Sequence, residues 1–229
     1  MTTPASTQTP SSAQPLAEAL VALAETPDDM PGLDARLERL AALAAERIIA
    51  VDYAATAPRL DGESYTVATS GELVEDVSSA APTTVAGAAT TTMTWPGFRE
   101  TAAGMGLGVV SVPLFTGSGA TIANLDLYSR DADALAPLTV GICAAYDPEV
   151  PWPADPGDLQ PLDAGGEELI NGFAEALSVR ATIQLALELM NQDAGSAALN
   201  AYAKLRLDAV TRGISLSAAA TAVIARRLG

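Results

Sequence analysis

The sequence contains no histidine and a single cysteine, Cys143. Without histidine the chain lacks the commonest general base and the commonest metal ligand, and it cannot form a Ser-His or Cys-His catalytic pair. One cysteine excludes both an internal disulfide framework and a zinc site built from several thiolates. We therefore expect a protein that is not an enzyme and that uses no metal and no cofactor. Cys143 lies in an apolar run, and we expect it to be buried and inert.

Long apolar runs are also missing. No stretch approaches the roughly 18–20 residues that a membrane span needs, and the N-terminus has neither the basic start nor the apolar core of a signal peptide. These absences predict a cytoplasmic protein with no membrane partner. Aromatic residues make up only 4% of the chain and alanine is abundant, so we expect small cores that self-association stabilises, as in a homodimer.

Positive charge is scarce and unevenly placed. The chain has 12 basic and 28 acidic side chains, a net charge of -16. Residues 1–166 contain 6 basic and 22 acidic side chains, whereas residues 167–229 contain 6 of each. The whole excess of acidic side chains therefore lies in residues 1–166. After residue 200 the chain contains five basic side chains and only one acidic side chain, that of Asp208. A polyanion would be repelled by the front of the chain and tolerated only at its end.

The first fifty residues divide into a tail and two helices. Residues 1–15 are rich in Thr, Ser, Pro and Gln, with little to bury, which predicts a disordered tail. Leucines at three- and four-residue spacing then predict a helix from Pro15 and a longer amphipathic helix over residues 33–50.

Residues 51–130 are predicted to form strands joined by turns. Two β-prone runs at 51–56 and 64–69 flank Asp61-Gly62, which suits a hairpin. A second hairpin is predicted from 109–114 and 122–128 around a turn at 116–119. Residues 77–94 are too uniform for periodicity to decide, and a short helix is expected between Trp95-Pro96-Gly97-Phe98 and Ala103.

The rest of the chain is predicted to be helical on both sides of a spacer. A helix is expected over 131–147, and residues 148–166 contain five prolines, which predicts a semi-rigid linker between two domains. Three helices should follow, over about 167–191, 196–212 and from a cap at Ser215 or Ser217 to Leu228. Three helices in about sixty residues indicate a small bundle that needs further packing for stability.

The end of the chain contains LSVRATIQLA at 177–186 and AYAKLR at 201–206, followed by Leu216, Ala219 and Ala220. These residues resemble an ANTAR domain, a three-helix RNA-binding module of bacterial transcription antitermination regulators. The front of the chain contains a second set of residues in a recognisable order, namely 16–23 with Thr26, 65–70, Trp95, Pro96 and Phe98, 108–114 and 125–129. This set resembles a GAF domain of the kind that precedes ANTAR in actinobacterial regulators.

The two resemblances imply a fold and a function. The fold is a GAF-like antiparallel sheet flanked by helices over 16–147, of the α/β class, followed by an all-α, ANTAR-like three-helix bundle over 167–229. The function is RNA-binding regulation of transcription, in which a dimer presents two bundles to paired hairpins of a leader transcript and so prevents formation of the terminator. A small molecule or a protein would supply the input signal at the GAF-like domain, at residues that the sequence does not identify.

Five residues are the candidates for RNA contact in such a bundle. Arg180, Lys204, Arg206 and Arg212 could contact phosphates, with Tyr202 beside them as a stacking surface for a base. The alternative for the four cations is a solvated helix face, and the alternative for Tyr202 is packing inside the bundle.

A second function stays open at this stage. In the first ANTAR-like helix the family usually carries Ala-Lys-Gly before Leu-Met, whereas this chain has Glu188 there. An acidic residue at that point and a net charge of -16 favour a dimeric protein-interaction or scaffold module that has lost RNA binding.

Overall fold

The computed structural model describes residues 14–58, 64–70, 90–147, 161–194 and 198–228. Most of the predicted tail, the Asp61-Gly62 turn, and residues 148–160 of the predicted linker lie outside these ranges.

Five antiparallel strands form one sheet. They are β1 (Tyr53–Pro58), β2 (Ser64–Ser70), β3 (Thr90–Pro96), β4 (Gly108–Phe115) and β5 (Thr121–Ser129). Their order across the sheet is β3-β2-β1-β5-β4. Both predicted strand pairs are confirmed, because β1 pairs with β2 and β4 pairs with β5, with a register irregularity at Leu114/Phe115. The chain from β2 to β3 includes the run that periodicity could not decide, and its last residues form an edge strand on β2.

The two faces of the sheet differ in what covers them. One face carries small and aliphatic side chains and belongs to the largest apolar cluster of the described residues. Its members on the strands include Ala54, Ala68, Val112, Leu125 and Leu127. The other face carries the aromatic side chains of a separate cluster, including Tyr53, Tyr65 and Tyr128, around the buried ring of Phe98.

Helices α1 (Pro15–Ala24) and α2 (Leu33–Arg47) lie on the aliphatic face. The stripe predicted for α2 is confirmed, since Leu37, Leu40 and Ala44 are buried. This helix ends at Arg47 rather than at residue 50, because Ile48 is extended and places its side chain in the core.

Two further helices follow strands of the sheet. Helix α3 (Phe98–Gly104) lies on the aromatic face, where it supplies Phe98 and Ala102. Helix α4 (Ala136–Tyr146) follows a 3-10 turn at Asp133–Leu135 and packs Leu138 and Ile142 into the aliphatic cluster. Cys143 is exposed, so the expectation that it is buried is wrong. The reason is that Leu138 and Ile142 define the buried side of α4, and Cys143 lies on the other side.

The longest helix, α5 (Ala164–Ala194), belongs to two cores. Its first half places Leu169 and Phe173 in the aliphatic cluster of the sheet, where α5 packs against α1 and α4. Its second half places Ile183 and Ala186 in the cluster of the last helices. The predicted linker therefore ends too late, since residues 164–166 are helical. The boundary expected at residue 167 falls inside a continuous helix.

The last two helices are α6 (Ala198–Arg212) and α7 (Leu216–Leu228). They share one apolar cluster with the second half of α5, which includes Leu205, Leu216 and Val223. Gly213, with φ +62°, makes the turn between them. Ser215 caps α7, because its hydroxyl accepts a hydrogen bond from the N–H of Ala218 at 3.1 Å. We refer to α6, α7 and residues 178–194 of α5 as the C-terminal bundle, and to residues 14–147 with the first half of α5 as the N-terminal domain.

A mixed α/β unit followed by a helical unit is thus confirmed at the level of architecture. Among the described residues, no single helix is both long and apolar enough to cross a membrane. Residues 201–212 and 216–228, bent by 109° at their turn, meet that test only as a pair, by length and composition.

Candidate nucleic-acid interface

Arg180 lies on α5 and points at the hairpin of β4 and β5. Its Nε donates a hydrogen bond to the carbonyl oxygen of Gly119 at 2.8 Å. Its Cζ lies 4.6 Å from the centroid of the Phe115 ring, which is a close cation–π contact. The guanidinium is therefore part of the contact between the two domains and is half-buried there.

Arg206 on α6 also faces the N-terminal domain. Its Nη1 lies 2.8 Å from Oδ1 of Asp29, in the turn between α1 and α2. The same guanidinium lies 5.6 Å from the ring centroid of Tyr202. The hydrogen bond from Arg206 lowers the pKa of Asp29 below its ordinary value.

Tyr202 packs inside the C-terminal bundle, partly buried against its apolar cluster. Its hydroxyl group is buried and makes no hydrogen bond of normal geometry with the described residues. Burial raises the pKa of Tyr202 to about 12, and the charge of Asp28 acts in the same direction. The packed alternative therefore describes this side chain, and its ring is not an open stacking platform.

Lys204 and Arg212 lie on the solvent side of α6. Both are exposed, and Arg212 is paired with Asp208 one turn earlier, with Nη1 to Oδ2 at 2.9 Å. Arg226, in the last turn of α7, is exposed as well. The five predicted site residues thus fall into two groups. Lys204 and Arg212 face solvent, whereas the other three lie at or beside the contact with the N-terminal domain.

Sequence reasoning missed the acidic residues on the opposite side of that contact. Glu25, which follows α1, accepts hydrogen bonds from the backbone N–H of Leu216 at 2.7 Å and from that of Ser217 at 3.1 Å. These are the first N–H groups of α7, which have no partner within their own helix. Glu25 therefore supplies a second cap to α7 from the other end of the chain. An acidic turn is visible in the sequence, but nothing in it indicates a partner about 190 residues away.

The hairpin turn between β4 and β5 completes the contact. Gly117 donates its N–H to the carbonyl oxygen of Thr26 at 2.7 Å, and a Cβ at Gly117 would lie 2.7 Å from Cδ2 of Leu216. Gly119, with φ +79°, leaves room for the side chain of Gln184. A side chain at either glycine would require Leu216 or Gln184 to move. The hydroxyl oxygen of Thr116, buried beside these glycines, has no hydrogen-bond partner among the described residues.

A polar cluster on the aromatic face of the sheet forms a separate feature of the N-terminal domain. Asp126, in the middle of β5, is fully buried and accepts a hydrogen bond from the hydroxyl of Ser111 at 2.5 Å. Its other oxygen lies 2.9 Å from Nη2 of Arg99, whose side chain is 56% exposed. The hydroxyl of Tyr128 lies 3.5 Å from the same oxygen. This arrangement neutralises a buried carboxylate and presents part of a guanidinium at the surface.

The pKa values in this cluster follow from its geometry. The hydrogen bond to Asp126 raises the pKa of Arg99 above its ordinary value, so the guanidinium stays charged. Burial raises the pKa of Tyr128 to about 12, and the charge of Asp126 adds to this effect.

A cleft of about 460 Å³ opens where α2, β5 and α4 meet the start of α5. Two of the carboxylates that line it are already engaged by backbone amides. Asp163 accepts hydrogen bonds from the N–H groups of Ile49 and Gly166, and Asp52 accepts one from the N–H of Arg130. These carboxylates fix the chain at the start of α5 and at the end of β5.

No protein-family model, curated protein or solved structure matches this chain. Its function is therefore inferred from the residues and the geometry described above.

Proposed function

We propose that this protein is an RNA-binding regulator of transcription, of the antitermination type, with a GAF-like sensory domain and an ANTAR-like output bundle. The order of the units supports this proposal. An antiparallel sheet flanked by helices comes first, and three helices that share one apolar cluster follow, as the resemblance of the sequence implies.

The observation that carries the proposal is the charge at the end of the chain. Lys204 and Arg212 on α6 and Arg226 on α7 are all exposed, and Asp208 pairs with Arg212, on a chain whose net charge is -16. A region of exposed cations in so acidic a protein is the natural place for a polyanion to bind. Few cations are available in one bundle, so binding by one copy should be weak and sensitive to salt.

Two bundles in a homodimer would overcome that weakness. Once one hairpin of a leader transcript is bound, the second binds at a high effective concentration, which raises the overall affinity. Holding both hairpins would keep the RNA from forming the terminator. The input, a small molecule or a protein, would act at the N-terminal domain, where the exposed part of Arg99 offers a donor to an anionic or carbonyl group.

Filter-binding titrations with a synthetic RNA of two tandem hairpins, at two salt concentrations, test the proposal. The variant Lys204→Ala with Arg212→Ala removes two exposed cations of α6. We expect this variant to bind RNA more weakly. The slope of log K against log salt should become less steep by about one for each phosphate that is no longer neutralised.

The matched control is Arg36→Ala with Arg39→Ala, which removes two exposed cations of α2 and changes the net charge equally. It should leave the slope unchanged. Binding that does not depend on salt, or an equal decrease in affinity in both variants, would contradict the proposal.

Two observations favour the second candidate, a dimeric protein-interaction or scaffold module. Arg180 and Arg206 are occupied by contacts with the N-terminal domain. In addition, Leu207 and Val210 are 67% and 79% exposed one turn apart on α6, so they form an apolar pair that a partner could cover.

Sedimentation equilibrium without RNA separates the two candidates. A scaffold built on this apolar pair predicts that Leu207→Gln with Val210→Gln shifts the protein toward the monomer, and that no chain binds the hairpin RNA. If RNA binding persists in the wild type, the scaffold alone does not describe the function.

A further inference from the structure

We propose that the acidic residues Glu25 and Asp29 of the N-terminal domain occupy the positions that RNA phosphates take on the C-terminal bundle, so that the structure is a closed state that excludes RNA. This inference rests on the proposed RNA-binding function and adds to it the regulation of the binding surface.

The first line of support is the chemistry of the groups that face each other. Asp29 binds the guanidinium of Arg206, and Glu25 accepts hydrogen bonds from the first amides of α7. Guanidinium groups and helix N-termini are common protein partners of phosphate oxygens. A carboxylate presents two anionic oxygens to them in a similar way. Acidic side chains of the N-terminal domain thus occupy both the guanidinium of Arg206 and the N-terminus of α7.

The guanidinium of Arg180 is also occupied by the N-terminal domain, in this case by a neutral acceptor. Its Nε is satisfied by the carbonyl oxygen of Gly119, and its charge lies over the ring of Phe115. Two of the four cations expected to contact RNA are therefore held by the N-terminal domain. Lys204 and Arg212 remain exposed for a first, weak contact.

The second line of support is the unequal strength of the contacts that α5 and α6 make with the N-terminal domain. Near its start, Glu168 is 3% exposed and accepts hydrogen bonds from the amides of Leu16 and Ala17, and it also pairs with Arg47. At the bundle, by contrast, Asp29 is 70% exposed, and water and salt screen its ion pair with Arg206. The first half of α5 is fixed to α1, while the contact at the bundle can open.

The third line of support is an unsatisfied hydroxyl group at this contact. The hydroxyl oxygen of Thr116 is buried without a hydrogen-bond partner among the described residues. A buried hydroxyl without a partner costs free energy that a fully optimised core avoids. Opening the contact would return this group to water, which lowers the cost of leaving the closed state.

The test compares two variants of the full chain. Glu25→Ala with Asp29→Ala removes the two carboxylates at the contact. Glu18→Ala with Glu46→Ala removes two exposed carboxylates of α1 and α2, so both chains change the net charge from -16 to -14. The control therefore accounts for the general decrease in electrostatic repulsion between the protein and RNA that any loss of two carboxylates causes. Thermal unfolding followed by circular dichroism checks that both variants fold.

Two readouts are measured on each chain. The first is amide hydrogen exchange at Leu216 and Ser217 without RNA, which should be faster only in the Glu25→Ala, Asp29→Ala variant. The second is the Kd for the RNA of two tandem hairpins. If the closed state dominates the wild type, this Kd should fall about tenfold in that variant and by less than about twofold in the control.

The outcomes separate this inference from the function on which it rests. If all chains bind RNA equally well, or if exchange at Leu216 and Ser217 does not change, the inference is overturned and the RNA-binding function stands. If exchange becomes faster but no chain binds RNA, the proposed function itself is overturned, and the inference with it.

Discussion

Glu25 and Leu216 lie 191 residues apart in the sequence, and the carboxylate of the first accepts a hydrogen bond from the backbone N–H of the second at 2.7 Å. The residue that follows the first helix thus caps the last helix. This link joins the N-terminal domain to the bundle independently of α5. The stability of α7 should therefore depend on a residue far outside its own domain.

Gly172→Ala should destabilise the protein. In most helix interiors this substitution stabilises by about 1 kcal/mol. Here a Cβ at residue 172 would overlap the backbone of Ala17, because α5 and α1 cross at this point. We expect the free energy of unfolding to fall by about 2 kcal/mol in urea titrations.

The control for this glycine is Gly104→Ala at the end of α3, where a Cβ would meet no atom within 4 Å. That variant should keep the wild-type stability or exceed it. A neutral or stabilising effect of Gly172→Ala would show that the helices can move apart at no cost.

Glu168→Ala should cost about 3 kcal/mol of unfolding free energy. The substitution leaves Arg47 without its partner and removes the acceptor for the amides of Leu16 and Ala17 at the start of α1. Glu168→Gln keeps one acceptor oxygen and should cost less. Glu167→Ala, at the exposed neighbouring position, should change the stability by less than about 0.5 kcal/mol. Equal effects at residues 167 and 168 would contradict the structural role of Glu168.

Arg180→Lys should weaken the contact between the domains although it keeps the charge. Lysine has no planar guanidinium to lie over Phe115 and no Nε donor in the position that reaches Gly119. We expect a decrease of about 1 kcal/mol in the free energy of unfolding, measured with heat or urea. Arg226→Lys, at an exposed position in α7, is the matched substitution and should have no measurable effect.

The protein should lose stability at alkaline pH in a way that depends on Tyr128. Burial raises the pKa of Tyr128 from 10.0 to about 12, with Asp126 contributing. The folded protein therefore keeps this phenol protonated at pH values where the unfolded chain has lost the proton. The resulting stabilisation is complete below pH 10 and is lost as the pH rises through about 12.

Urea unfolding of the wild type and of Tyr128→Phe at about pH 8 and about pH 11 checks this prediction. The wild type should lose more stability between the two pH values than the variant does. A pH dependence that Tyr128→Phe does not reduce would show that the phenol is accessible to water in the folded state.

Much of the fold follows from local patterns in the sequence. The stripe of α2 and the hairpin of β4 and β5 are predictable because three- to four-residue spacing and a Gly-rich turn specify them locally. Strand β3 is not, since its run of threonines has no alternation of polar and apolar residues. Its assignment depends on pairing with β2, which no local signal reveals.

The start of α5 shows a different limit. The five prolines of residues 148–166 predict a linker, and Gly165 and Gly166 at its end give no local signal for a helix. In the structure the glycines serve close packing, because a Cβ at residue 165 would overlap the carbonyl group of Arg47. Local glycine signals cannot distinguish a flexible segment from a helix that lies against another backbone.

The candidate site is predictable only in part. Charge segregation identifies the end of the chain as the region that could accept a polyanion, and Lys204 and Arg212 are exposed there. The orientation of Arg180 is not predictable, because its partners Phe115 and Gly119 lie more than sixty residues earlier in the sequence.

The sharing of α5 between two cores sets a rule for dissecting this protein. A fragment that ends at residue 166 would lack Leu169 and Phe173 and would leave a trough in the aliphatic face of the N-terminal domain. A fragment that begins at residue 167 would expose the same two apolar side chains to water. Both pieces should aggregate when expressed alone, and mixing them should restore solubility by complementation. Exchange of the C-terminal bundle with that of another protein would succeed only at a junction beyond Leu177, inside the helix.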